Sequence, residues 1–194
     1  MKIVGISGSP RKKNTNYMLE TVLDATGFDY DLILLKDKKI KPCNACGGCY
    51  KSHKCIVKDD MQKIYNKILD ADILVLGSPT YFDNVSAIMK SFMDRCLPLY
   101  LSEELKSKKV ALLSVGNFKE GEIIKNSEKA IKNPNLEKEM NNSVKKCINA
   151  MENFCEILGL KLVGSVIAIN GNAKSKHDEL VKLGKNLQKL SNIV

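Results

Sequence analysis

Ala71-Asp72-Ile73-Leu74-Val75-Leu76-Gly77 carries four aliphatic residues in succession. A strand with one wet face alternates apolar and polar residues. A run without that alternation, and too short for a buried helix, reads as a strand covered on both faces, as in a parallel sheet. Outward from it, similar runs recur at Met1 to Ile6, at Tyr30 to Leu35 (with Leu32-Ile33-Leu34-Leu35), at Lys109 to Val115 and at Leu160 to Ile169. Helical patterns lie between them. Thr15 to Ala25 forms one, and another begins at Asp59 with Met61, Ile64, Ile68 and Leu69 on one face. A third carries Ile88, Met89, Phe92, Met93 and Cys96, and a fourth runs from Leu136 to Leu158. Ser175, with Asp178 three residues on, resembles a capping box opening a last helix that bears Leu180, Leu183, Leu187 and Leu190. Five strands alternating with helices predict an α/β fold, an open and doubly wound five-stranded parallel sheet.

The 194 residues, 44% of them hydrophobic, suit one domain over 1–194 with a single core. The apolar runs are too short to span a bilayer. Ile3-Val4-Gly5-Ile6 stops at Ser7 and meets Pro10-Arg11-Lys12-Lys13, unlike a signal peptide, so a cytoplasmic protein without membrane association is expected. Net charge is +9, from 31 Lys and Arg against 22 Asp and Glu, and all but Arg11 and Arg95 of the basic residues are lysine. Scattered lysines without Trp argue against nucleic-acid binding, which favours clustered Arg and aromatic residues. They leave room for acidic protein partners.

Ligands of such sheets bind beyond the carboxyl ends of the strands. The loop after the first strand, Ser7-Gly8-Ser9-Pro10-Arg11-Lys12-Lys13-Asn14-Thr15-Asn16, has neither the G-x-G-x-x-G of dinucleotide sites nor the G-x-x-x-x-G-K-[ST] of triphosphate loops. It offers hydroxyls, amides, one Arg and a helix N-terminus. Those groups suit a terminal phosphate monoester such as that of FMN. After the third strand, Ser78 to Val85 reads as a loop, and Tyr81 and Phe82 within it suit a flat ring system. Gly116-Asn117 would supply a third loop, at the start of a long polar connection that reaches Asn135.

Cys43-Asn44-Ala45-Cys46-Gly47-Gly48-Cys49, with Cys55 following, gives C-x2-C-x2-C-x5-C within a segment spanning 42–58. Zinc sites usually pair two C-x2-C knuckles across a long spacer, so that four thiolates converge on one ion. Here three thiols follow on successive tight turns, a spacing suited to wrapping a [4Fe–4S] cubane and similar to the compact bacterial ferredoxin run. Zinc and unligated thiols are the other two readings. Gly47-Gly48 is expected to permit the tight backbone. His53 reads as solvent-facing, and Cys96, Cys147 and Cys155 as core residues.

Gly8-Ser9-Pro10-Arg11-Lys12, Pro79-Thr80-Tyr81-Phe82, and Ser86-Ala87 through Asp94-Arg95 together resemble the flavodoxin-like NADPH-dependent FMN reductase superfamily. The cysteine segment resembles its iron–sulfur flavoprotein branch. The resemblance implies a flavodoxin-like fold with FMN bound. By matching position, Ser7, Ser9, Pro10, Arg11, Asn14, Thr15 and Asn16 would hold the phosphate, and Pro79, Thr80, Tyr81, Phe82 and Asn84 would line the isoalloxazine. It also implies a homodimer or homotetramer and a ferredoxin as electron donor. Two departures stand out. Asn14-Thr15-Asn16 permits two registers for the family's Asn-Thr, and Asp83 sits where a Gly is common. The expected activity is electron transfer between a [4Fe–4S] cluster on Cys43, Cys46, Cys49 and Cys55 and FMN, with no acid–base triad in view. A cluster-free NAD(P)H-dependent FMN or quinone reductase is the first alternative, and a zinc-stabilised interaction module the second.

Overall fold

Successive side chains of a strand point to opposite faces, and the aliphatic run of the third strand uses both. The structure, a computed structural model, describes residues 1–116 and 136–190. Leu74 and Leu76 are buried in one apolar cluster, Ile73 and Val75 in another. The elements are β1 (Ile3–Ser7), α1 (Asn14–Asp24), β2 (Tyr30–Leu34), α2 (Cys49–Ser52), α3 (Met61–Asp70), β3 (Ile73–Tyr81) and β4 (Asn84–Val85). They continue as α4 (Ala87–Asp94), α5 (Leu97–Ser102), β5 (Lys109–Val115), α6 (Leu136–Ile157), β6 (Lys161–Ala168) and α7 (His177–Lys189). The sheet order is β2-β1-β3-β5-β6, with every neighbouring pair parallel. The chain runs outward to β2 and returns past β1 to β3, so the order reverses between β1 and β3. That is the flavodoxin-like arrangement.

The two faces are covered by different helices. Val4, Ile6, Leu74, Leu76, Val110 and Leu112 pack beneath α3, α4 and α6, through Ile64, Ile68, Met89, Phe92 and Met151 among others. Ile3, Ile73, Val75, Ala111 and Leu113 pack beneath α1 and α7, through Met18, Leu19, Val22, Leu180 and Leu187. Cys96, Cys147 and Cys155 are buried, as expected of core residues. Burial pushes all three thiols up, Cys155 to about 12, which keeps them protonated and unreactive. No helix among the described residues is long and apolar enough to cross a membrane.

Three local expectations are corrected. Ser78 to Val85 is not a loop: β3 stays paired with β5 through Pro79, and then Tyr81 pairs back onto Asn84 of antiparallel β4. The turn residues Phe82 and Asp83 both have positive φ, 48° and 62°, as a two-residue hairpin of right-handed twist requires. The helix bearing Ile88 to Cys96 breaks after Asp94, and α5 restarts with a proline in its first turn. Ser175 does not cap α7. α7 has no side-chain cap; Asn172 instead caps a short 3-10 turn, Ala173–Lys176, that precedes it, accepting from Ser175 N at 3.3 Å. The polar connection expected from Gly116 lies, beyond Gly116 itself, outside the described residues.

Candidate functional site

Ser7, Ser9, Pro10, Arg11, Asn14, Thr15 and Asn16 all fall between the carboxyl end of β1 and the first turn of α1. Ser7 is fully buried, and its hydroxyl donates to Asn16 Oδ1 at 2.7 Å. The Ser9 hydroxyl donates to Arg11 O at 2.7 Å and accepts from Arg11 N at 3.2 Å, which shapes the turn. Asn14 Nδ2 donates to Gly171 O at 2.8 Å, tying the loop to the turn after β6. These side chains therefore build the loop as well as offering polar groups. Pro10 and Arg11 are exposed, and no side chain caps α1. Nor is there an acidic residue in its first turn. An uncapped N-terminus beside an exposed guanidinium is a place for an anion.

Gly8 N donates to Gly77 O at 2.8 Å, which joins the β1 and β3 loops. A Cβ on Gly8 would lie 2.6 Å from Met89 Cβ, so only glycine lets α4 approach this closely. Ser86, part of the resemblance above but not expected as a site residue, links three elements. Its hydroxyl donates to Gly8 O, its N–H donates to Ser78 Oγ, and it caps α4 by accepting from Met89 N. Of the residues expected around a flat ring, Pro79 and Thr80 are buried, and the Thr80 hydroxyl bonds Ser114 Oγ at 3.0 Å across the sheet. Tyr81, Phe82 and Asn84 are exposed, Phe82 fully so at the hairpin tip. Lys146 of α6 anchors that tip through Asp83 at 2.6 Å, and Lys146 with Ser143 holds the Asp83 carboxyl below the usual range. Gly116 is buried at the same edge and accepts from Gly171 N at 2.8 Å. Asn117 lies outside the described residues.

All four of Cys43, Cys46, Cys49 and Cys55 line one cavity of about 110 Å³, closed on one side by the α4–α5 junction at Arg95, Leu97 and Pro98. The tight turns are made by Ala45 and Gly47, with φ of 53° and 71°. Gly48, expected to share that task, has an ordinary φ of −62°. A Cβ there would lie 2.8 Å from Cδ1 of the exposed Ile56 side chain, which is free to move. His53 is exposed, as read from the sequence. Burial and the neighbouring thiols of Cys55, Cys43 and Cys46 push Cys49 up. Among the described residues no three His, Cys, Asp or Glu side chains are arranged to hold one metal ion.

A buried ion pair pins both ends of this segment. The side chains of Arg95 and Asp59 are 1% and 3% exposed. Arg95 Nη1 donates to Asp59 Oδ2 at 2.6 Å and to Lys41 O at 2.8 Å, while Nη2 donates to Asp59 Oδ1 at 3.1 Å. Nη2 also reaches Val57 O at 3.4 Å. Lys41 precedes the cysteines and Val57 follows them. Burial raises the Asp59 pKa, but hydrogen bonds from Arg95 and from the N–H groups of Lys41 and Met61 outweigh it and hold the carboxyl low. Gln62 Nε2 adds bonds to Cys55 O and Val57 O. Neither Asp59 nor Gln62 carries a sequence signal for this role.

A parallel sheet in this order, with a hydroxyl-rich loop after β1 and a cysteine segment between β2 and α3, defines a flavodoxin-like α/β protein. Residues 1–137 match the family described as NADPH-dependent FMN reductase, and the chain belongs to that family. Several of the curated proteins it is similar to are named iron–sulfur flavoproteins. One such protein, from Methanocaldococcus jannaschii, is 40% identical over 125 residues, covering 62% of this chain and 65% of the other. Another, from Methanosarcina thermophila, is 38% identical over 126 residues, covering 62% of this chain and 66% of the other. The matches thus span somewhat under two thirds of those relatives' lengths. Among solved structures, an NAD(P)H:quinone oxidoreductase from Methanothermobacter marburgensis has TM-score 0.70 at 15% identity, covering 97% of this chain and 96% of that one. At that identity the likeness carries the fold alone.

Proposed function

We propose that this protein is a redox flavoprotein that binds FMN at the carboxyl edge of the sheet and a [4Fe–4S] cluster on Cys43, Cys46, Cys49 and Cys55. An acidic ferredoxin-type carrier would serve as its electron donor. The observation that carries the reading is the single cavity lined by all four thiols. Thiols that share a cavity without converging on one point suit a polynuclear cluster better than one tetrahedral ion. The relatives named iron–sulfur flavoproteins support the same assignment. When bound, FMN supplies one- and two-electron chemistry and the cluster one-electron chemistry.

The chain's own residues have separate tasks. The N-terminus of α1 and Arg11 would receive the phosphate dianion. Tyr81, Phe82 and Asn84, on a hairpin fixed by the Asp83–Lys146 pair, would flank the ring. The Arg95–Asp59 pair holds the cysteine segment against the sheet domain.

An anaerobic absorption spectrum with iron, sulfide, zinc and flavin analysis tests the reading. The expected result is flavin together with about four iron and four sulfide per chain. Flavin without iron would point instead to a cluster-free NAD(P)H-dependent FMN or quinone reductase. A colourless zinc protein would point to an interaction module.

A further inference from the structure

Arg95 is almost wholly buried, and its two Nη atoms are taken up by Asp59 and by the carbonyls of Lys41 and Val57. Its third nitrogen, Nε, is buried and has no hydrogen-bond partner among the described residues. A buried N–H left without a partner is costly, and such orphans in a native structure call for an explanation. Here the orphan belongs to a side chain that forms part of the wall of the cavity lined by Cys43, Cys46, Cys49 and Cys55.

We infer that Arg95 is a positioning residue whose Nε–H donates a hydrogen bond to a sulfur atom of the group held by the four cysteines. The inference rests on the cluster assignment proposed above. The geometry gives the guanidinium two functions at once. Its Nη edge fixes the backbone on both sides of the cysteines, and its Nε edge remains for the occupant. The main chain of the same residue is held as well, because the Tyr65 hydroxyl donates to Arg95 O. Asp59 neutralises the guanidinium, so the effect on the occupant comes through a directed N–H and not through a bare positive charge. Asp94, the other charged residue of the wall, is paired with Lys90 and carries no donor. A hydrogen bond to sulfur favours the more negative, reduced state of a cluster and raises its potential.

The chain contains only two arginines, Arg11 and Arg95, and Arg11 is exposed in the β1 loop. Protein purified anaerobically with its cofactors, and grown on [15N]arginine, is reduced and studied by pulsed EPR. The expected result is a 15N hyperfine coupling that persists in Arg11→Lys. A cluster present by iron, sulfide and visible spectrum, but without any 15N coupling, overturns the inference and leaves the cluster assignment standing. Absence of iron and sulfide overturns both.

Arg95→Lys provides a second readout, since it keeps a cation for Asp59 and removes Nε–H. Its reduction equilibrium is expected to shift on the order of tenfold towards the oxidised state, about 59 mV for one electron. An unchanged potential in a variant that retains its iron counts against the hydrogen bond.

Discussion

The carboxylate of Asp59 takes both Nη atoms of Arg95 and the N–H groups of Lys41 and Met61, and all of these bonds favour its charged form. A carboxyl whose folded pKa lies below its unfolded value of about 3.9 stabilises the fold above that value and loses the contribution as pH falls through the folded pKa. Acid unfolding followed by circular dichroism should therefore show a component below about pH 4 that Asp59→Asn lacks. At neutral pH, Asp59→Ala strands the Arg95 charge and should cost about 3–5 kcal/mol. Urea unfolding that places this variant within 1 kcal/mol of wild type would mean that water reaches the pair. Arg11 presents the opposite case, an exposed cation with little to do for the fold. Arg11→Ala should weaken FMN binding by about 2 kcal/mol, the scale of a charge-assisted hydrogen bond, and leave stability unchanged. Riboflavin, which lacks the phosphate, should bind both proteins almost equally in a fluorescence titration. Equal losses of FMN and riboflavin would make the loop structural.

Between elements, α7 approaches α1 tightly at Gly184, where a Cβ would lie 2.4 Å from Val22 O and 2.6 Å from Ala25 Cβ. In an isolated helix Ala is preferred over Gly by about 1 kcal/mol. Here overpacking of about 1–3 kcal/mol opposes that gain. The collision is with backbone, which cannot rotate away, so the penalty should sit at its upper end. Gly184→Ala should lower the melting temperature by about 2–8 °C, and a rise would show that the two helices can separate without cost. The apolar face that contains this contact was legible, because Leu180, Leu183 and Leu187 repeat at helical spacing. So were the strands, whose aliphatic runs have no polar face to offer. The β3–β4 hairpin was not. Its turn needs positive φ at Phe82, and a phenylalanine gives no local signal for that conformation. Asn172 and Ser175 are both cap-forming residues, and only the packed chain shows that Asn172 caps a 3-10 turn while α7 starts without a side-chain cap. The four cysteines announced themselves by spacing. The ion pair that holds them did not, because Arg95 and Asp59 are 36 residues apart and meet only through tertiary structure.

Across the whole molecule, the net charge of +9 is unevenly useful. Lys36, Lys38, Lys39, Lys41, Lys51, Lys54 and Lys58 bracket the cysteines in sequence. Lys51, Lys54 and Lys58 are exposed around the segment whose Cys55 and Ile40 pack on the α3–α4–α6 face of the sheet. Lys182, Lys185 and Lys189 are equally exposed, but they ride on α7, which covers the other face. The two sets therefore carry the same charge at different places. If the donor is an acidic carrier that enters at the cysteines, the first set steers it and the second does not. Steering acts on association rate and fades as the Debye length shortens from about 30 Å at 0.01 M salt to about 10 Å at 0.1 M. Stopped-flow reduction by ferredoxin should slow as salt rises, while reduction by an uncharged small reductant should not. The triple reversal K51E/K54E/K58E should slow the ferredoxin reaction and flatten its salt dependence. The matched reversal K182E/K185E/K189E changes net charge by the same amount and should leave the rate close to wild type. Equal slowing by both would mean that the carrier senses only total charge, and the cysteine face would lose its claim to be the point of entry.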